Sequence, residues 1–150
     1  MGKISLHSRG ANLDPSHCWL INIGDDVALA PRVQILAHDA STCKHLGYAK
    51  IGRISIGDRV FIGAGSIILP NVTIGSDIVI GAGSVVAHFL LSGGMCTGNP
   101  TRLICSLDDY LDKRRTLISS SPVYEEDYTL HQIISRLQSK NISGSINHTK

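Results

Sequence analysis

Aliphatic residues recur at every sixth position along most of the chain. Ile23, Leu29 and Ile35 form one run, and Ile56, Ile62, Ile68, Ile74, Ile80 and Val86 form a second with the same spacing. The next position is small at Gly24, Ala30, Gly57, Gly63, Gly75, Gly81 and Ala87, with Leu36 and Leu69 as exceptions. Four positions after each aliphatic stands Val27, Val33, Val60, Ser66, Val72, Ile78, Ser84 or Leu90, and only Asp39 breaks this second column. A period of six matches neither a helix nor the simple alternation of a strand. It predicts a short strand and a tight turn, repeated around a triangular prism with three hexads to the coil and the aliphatic columns stacked inside. Glycine after the aliphatic relieves crowding near each corner. Asn71, in Leu-Pro-Asn-Val, is expected at a turn with positive φ.

The pattern is interrupted once and fades at both ends. The interval from Ile35 to Ile56 is longer than one coil and shorter than two, so the register is expected to slip. Residues 38–50 fill the slip as a loop projecting from a corner, where a solenoid tolerates insertions and commonly carries function. Residues 1–20 hold weaker hexads and are short for a complete opening coil; Trp19 and Leu20 are expected to cap the prism. From Ser106 the run Ser-Leu-Asp-Asp-Tyr-Leu-Asp-Lys-Arg-Arg starts like a capped helix, with Asp109 placed to complete the cap and bases gathered at the far end. Leu130, Ile133, Ile134 and Leu137 keep helical spacing and predict a second helix over 125–139. The organisation expected is thus an all-β body over 1–105 with its loop, a helical extension over 106–140, and a disordered tail over 141–150.

Composition narrows the function more than the fold. Hydrophobic residues make up 43% of the 150 residues, charged ones 17% and aromatic ones 5%, so the core must be aliphatic. A formal net charge of +2 is too small to predict binding to nucleic acid or to an anionic membrane. No apolar stretch is long enough to span a bilayer, and the N-terminus lacks the apolar core of a secretion signal, so a cytoplasmic location is expected. Cys18, Cys43, Cys96 and Cys105 form no CxxC pair and are read as buried or idle thiols in a reducing compartment, with no metal expected.

Two segments carry a resemblance. Ile56-Gly-Asp-Arg-Val-Phe-Ile-Gly-Ala-Gly-Ser-Ile-Ile-Leu-Pro-Asn-Val-Thr-Ile-Gly75 and Ile80-Gly-Ala-Gly-Ser-Val-Val86 are similar to the hexapeptide-repeat acyltransferases, over roughly residues 20 to 105. That resemblance implies a left-handed parallel β-helix, an exception to the usual right-handed crossover that periodicity alone does not supply. It also implies transfer of an acetyl group from acetyl-CoA, most like the sugar and capsular-polysaccharide O-acetyltransferases, and a homotrimer with active sites between subunits.

The same resemblance assigns residues to roles. His38 takes the place of the general base, which removes the acceptor's proton as attack proceeds; a loop histidine held by a turn is the plainer reading. Apart from the resemblance, Asp39 takes the place of an inward aliphatic and is a candidate to orient His38 or to bind the acceptor hydroxyl, with a simple turn carboxylate as the equal alternative. Tyr48, in the loop, is a candidate acceptor contact. Gly63, Ala64, Gly81 and Ala82 stand on one prism edge, one full coil apart, and are expected to hold the pantetheine arm. Phe61 occupies a position that is often Trp in the family and flanks the thioester. Gly98-Asn-Pro-Thr-Arg102 resembles the family's closing segment, which places Arg102 near the coenzyme phosphates. Val86-Ala-His-Phe-Leu-Leu91 departs from the family's Val-x-Lys-Asp-x-Pro, so His88 stands where Lys is usual.

Other readings stay open at this point. An N-acyltransferase on an amino sugar would use the same base, and a non-catalytic β-helix scaffold would need none. A carbonic-anhydrase-like zinc protein would need three histidines, for which His38, His45 and His88 have the wrong spacing. His7, His17, His131 and His148 show no partner pattern.

Overall fold

A computed structural model describes residues 4–5 and 10–120. The six-residue period becomes a parallel β-helix with three faces. Its first coil is β1 (Ile4–Ser5), β2 (Asn12–Leu13) and β3 (Ile21–Ile23). The second begins with β4 (Val27–Leu29) and β5 (Gln34–Ile35), leaves the prism through β6 (His38–Asp39), α1 (Cys43–Leu46) and β7 (Lys50–Ile51), and closes with β8 (Ile54–Ile56). The third is β9 (Val60–Ile62), β10 (Ile67–Ile68) and β11 (Thr73–Ile74). The fourth is β12 (Ile78–Ile80) and β13 (Val85–Val86), completed by a bridge from Leu90 to Ile74. The first face stacks β1, β4, β9 and β12, the second β2, β5, β10 and β13, and the third β3, β8 and β11.

Strands of two or three residues hold no structure alone; stacking does. Every residue of the first aliphatic column is buried, the most exposed being Ile23 at 5%. The second column is buried as well, and its two polar members remain bonded: the Ser66 and Ser84 hydroxyls both donate to the Gly81 carbonyl, at 3.1 and 2.6 Å. Residues turn the corners in left-handed backbone geometry, Arg32, Gly65 and Gly83 at the first, Asn71 at the second, and Asp26, Arg59 and Asp77 at the third. Asn71 has φ +66°, as its turn sequence predicts. Gly63 is required for a different reason: a Cβ there would lie 2.5 Å from the Ala82 backbone nitrogen, so the coils could not stack at this spacing.

The interruption is an insertion rather than a slip. Ile35 and Ile56 lie on different faces, so whole-coil multiples do not apply to their spacing. Val60 pairs with Ile78 after the regular three hexads, whereas Ala28 pairs with Phe61 across a much longer stretch of chain. The surplus is extruded at the second corner and the prism resumes in register. Antiparallel pairing of His38 with Ile51 and Asp39 with Lys50 pinches the base of the loop, and Gly52 N–H donates to the Ala37 carbonyl at 2.9 Å.

Both ends differ from expectation in part. The N-terminal segment does form an opening coil, because β1, β2 and β3 each pair with the coil above. Leu20 packs against the core, but Trp19 projects outward at 73% exposure instead of capping it. At the other end β14 (Gly94–Gly98) continues the first face and β15 (Thr101–Ser106) folds back antiparallel beside it. The helix α2 (Leu107–Ile118) starts with the expected cap: Ser106 Oγ accepts the Asp109 N–H at 3.1 Å and donates to the Asp109 carboxylate at 2.7 Å. The chain divides into Met1–Lys113, which holds the β-helix, and Arg114–Lys150. The helix expected over 125–139 and the tail over 141–150 lie outside the described residues. Among the described residues, no helix is long and apolar enough to cross a membrane.

Candidate active site

Among the described residues, Asp14 is the one charged side chain sealed inside the prism, at 1% exposure. It follows β2 at the second corner of the first coil, where its N–H donates to the Ile35 carbonyl at 2.8 Å. A buried carboxylate must be bonded to stay ionised, and this one is bonded on both oxygens. Oδ1 accepts the N–H groups of Ser16 (3.0 Å) and His17 (3.2 Å). Oδ2 accepts the Ala37 N–H (3.0 Å) and meets His38 Nδ1 at 2.5 Å. Burial alone would raise the carboxyl pKa; the His38 bond and the Ser16 and Ala37 amides outweigh it and hold the group at about 2.

An ionised carboxylate only accepts, so Nδ1 of neutral His38 carries the proton and Nε2 keeps the lone pair. The His38 side chain is 37% exposed and lines a cleft of about 530 Å³ with Leu36, Asp39, Ala40, Lys50, Leu69 and Pro70. The site therefore holds an oriented imidazole at the mouth of the insertion, backed by a fixed negative charge. Such a pair can take a proton from a bound hydroxyl or amine and return it to a leaving group.

His38 sits where the sequence places it, but its orienting carboxylate is a different residue. Asp39 breaks the inward column in sequence, yet it points outward, exposed, and accepts the Ser41 N–H at 2.9 Å in a local turn. That bond, more than any other contact, lowers its pKa. It lines the cleft without bonding His38. Tyr48 is 63% exposed and is not among the cleft residues; its carbonyl accepts a bond from Thr42 Oγ1 at 2.8 Å.

Asp14 and His17 escape sequence reading. Asn12 and Leu13 register with Gln34 and Ile35, so the opening coil is longer than three hexads and breaks the step that would align Asp14 with His38. The usable signal is Asp-Pro-Ser-His, an acceptor side chain ahead of a proline turn. His17 is more than an ordinary histidine: its ring centroid lies 5.0 Å from that of His38 and 5.3 Å from Trp19.

The expected coenzyme residues line a different edge. Gly63-Ala64-Gly65 and Gly81-Ala82-Gly83 stack at the first corner, tied by the Gly83 N–H to the Ala64 carbonyl at 2.8 Å. Phe61 projects from the first face, 44% exposed, with Ala28 and Val79 as its strand partners. Arg102 is exposed on β15 opposite Thr97, whose hydroxyl packs over Gly81, and also lines a second cleft with His88. Within one chain the second face separates this edge from His38. Neither His45 nor His88 joins His38; the donor groups gathered there are Asp14 and His17. Cys18 and Cys43 are exposed, Cys105 is half-buried and Cys96 is buried, none of them bonded in a disulfide.

Comparison with known proteins bears on the fold and on the family that the chain resembles. The bacterial transferase hexapeptide family (six repeats) matches residues 53–88. Protein CapG of Staphylococcus aureus is 43% identical over 102 residues, covering 65% of this chain and 59% of that protein. The chain spans about half the length of the curated relatives it matches. Among solved structures, a maltose O-acetyltransferase from Clostridium difficile 630 superposes with a TM-score of 0.55 at 29% identity, over 69% of this chain and 70% of that one. AntD, an N-acyltransferase from Bacillus cereus solved with dTDP-4-amino-4,6-dideoxyglucose and coenzyme A, gives a TM-score of 0.56 at 26% identity, over 80% and 73% of the two chains. The prism is thus an all-β, left-handed parallel β-helix, and the chain resembles the hexapeptide-repeat acyltransferases.

Proposed function

For a chain whose repeat matches the transferase hexapeptide, we propose the activity of an acetyl-CoA-dependent O-acetyltransferase acting on a hydroxyl of a sugar or surface polysaccharide, with His38 as general base. The observation that carries this reading is the Asp14–His38 pair, an imidazole oriented by a buried carboxylate where the repeat opens. His38 Nε2 takes the acceptor proton as its oxygen attacks the thioester carbonyl. The tetrahedral intermediate then collapses, the carbon–sulfur bond breaks, and the imidazolium returns the proton to the coenzyme thiolate. Asp14 stabilises the imidazolium between the two steps.

Coenzyme A fits the first corner, where Gly63, Ala64, Gly81 and Ala82 let a thin pantetheine arm lie against backbone amides, Phe61 walls the thioester and Arg102 meets the phosphates. Because that edge and His38 flank opposite sides of the second face, the reacting centre is assembled from two copies: one supplies the base and its neighbour the coenzyme edge. A cyclic homotrimer closes this relation for every chain. Asp39, Lys50 and the loop tip with Tyr48 face the acceptor side, in a cytoplasmic enzyme.

AntD supports a second reading, transfer to the amine of an amino sugar, since the same base serves either acceptor. The deciding experiment offers acetyl-CoA with matched hydroxyl and amino sugars and reads free thiol release. Turnover with hydroxyl sugars that disappears in His38→Ala supports the proposal. Turnover with amino sugars alone selects the second reading, and none with any acceptor removes both.

A further inference from the structure

We propose that Asp14, His17 and His38 form a zinc-binding site, and that the bound ion switches off the base. One donor atom from each of the three side chains lies within 4.8 Å of the others. The set is two imidazoles and one carboxylate, a combination suited to a borderline ion such as Zn²⁺ and poorly suited to Mg²⁺ or Ca²⁺. An independent feature points to the same centre. The buried Nδ1 of His17 has no hydrogen-bond partner, and it lies 3.8 Å from Asp14 Oδ1, beyond bonding distance. A buried nitrogen facing a carboxylate without a proton bond between them is left short of a partner that a cation would supply.

Ligands about 2.0–2.1 Å from one ion stand about 3.3 Å apart when tetrahedral and about 4.2 Å apart at most. The 3.8 Å separation of His17 from Asp14 falls within that span. The His38–Asp14 contact must open, because at 2.5 Å a proton occupies the place of the metal. Zn²⁺ bound at His38 Nδ1 displaces that proton to Nε2, the atom that must hold the free lone pair for catalysis. No proton leaves the ring; its tautomer is reversed, and a donor replaces the acceptor at the cleft. The exposed thiol of Cys18, next to His17 in sequence, is the competing ligand to exclude.

Metal binding does not depend on the acyltransferase reading; only the inhibition does. The test titrates the metal-stripped full chain with Zn²⁺ alone by calorimetry and with Co²⁺ by absorption. One ion per chain is expected, with Co²⁺ d–d bands that lack a thiolate charge-transfer band. Affinity is expected to fall at least tenfold in His17→Ala and in Asp14→Asn but to stay within twofold in His45→Ala. No stoichiometric binding, a thiolate band, or equal affinity in His17→Ala overturns the site, and the wild-type cobalt spectrum decides even if a variant fails to fold. Where transfer is measurable, Zn²⁺ is expected to suppress it reversibly on chelation, and half-inhibition in His17→Ala to need at least ten times more metal. Stoichiometric binding without inhibition overturns the switch, whereas absence of transfer under all conditions speaks against the proposed activity and leaves the binding result standing.

Discussion

Asp14 and His38, on successive coils, are joined by a 2.5 Å contact between a sealed carboxylate and a ring nitrogen. Replacing Asp14 by Asn keeps the shape but lets the side chain donate as well as accept, so His38 can adopt the wrong tautomer. We expect kcat for acyl transfer to fall about a hundredfold to ten-thousandfold, with KM for acetyl-CoA within about twofold. Unchanged kcat in steady-state assays would remove Asp14 from the mechanism.

The same carboxylate makes stability depend on acid. Its pKa is about 2 in the fold against an ordinary 3.8, so it favours the folded state above pH 4. That contribution, about 2 kcal/mol, is lost as pH falls from about 4 to about 2. Denaturant unfolding followed across this window is expected to show the loss in the wild type and a flatter profile in Asp14→Asn. Parallel profiles would mean that the carboxylate titrates normally.

The loop tip is expected to act on the acceptor and not on the scaffold. Replacing residues 40–49 with Asn-Gly leaves the His38–Ile51 and Asp39–Lys50 pairing in place. The thermal midpoint is expected to move by only a few degrees, while KM for the acceptor rises at least tenfold and coenzyme affinity holds. An unaltered acceptor KM would place recognition elsewhere.

Two glycines of one corner carry different constraints. A Cβ at Gly63 meets Ala82 backbone at 2.5 Å, whereas at Gly65 it meets nothing within 4 Å but φ is +69°. Gly65→Ala is expected to cost about 1–2 kcal/mol from backbone strain alone, and Gly63→Ala more, because the coils must separate. Equal losses in chemical denaturation would show that stacking tolerates the added methyl.

Ile68, fully buried between coils, sets the scale for the core. Ile68→Ala is expected to cost about 2–5 kcal/mol, read as a shift of the denaturation midpoint at constant slope.

Much of the scaffold was legible from Ile23 to Leu90 because each inward position repeats in sequence what it does in space. Asn71 and the Ser106–Asp109 cap were legible from local sequence, since a turn and a helix start depend on neighbouring residues. Asp39 misled because its place in the column implies an inward side chain, while the backbone had already left the prism at Ala37. The interval from Ile35 to Ile56 misled because it joins residues on two faces, and only pairing separates an insertion from a slip.

By itself, then, the sequence determined the β-helix, its stacked columns, the point where it opens and the histidine at that opening, since all of these follow from periodicity or its failure. The tertiary structure alone decided what surrounds that histidine. Asp14 and His17 come from an irregular first coil whose spacing carries no period, and they reach His38 through coil stacking. It also decided that Gly63 and Gly81 lie across a face from His38, because a position within the hexad fixes a corner and only the winding fixes which corners are neighbours.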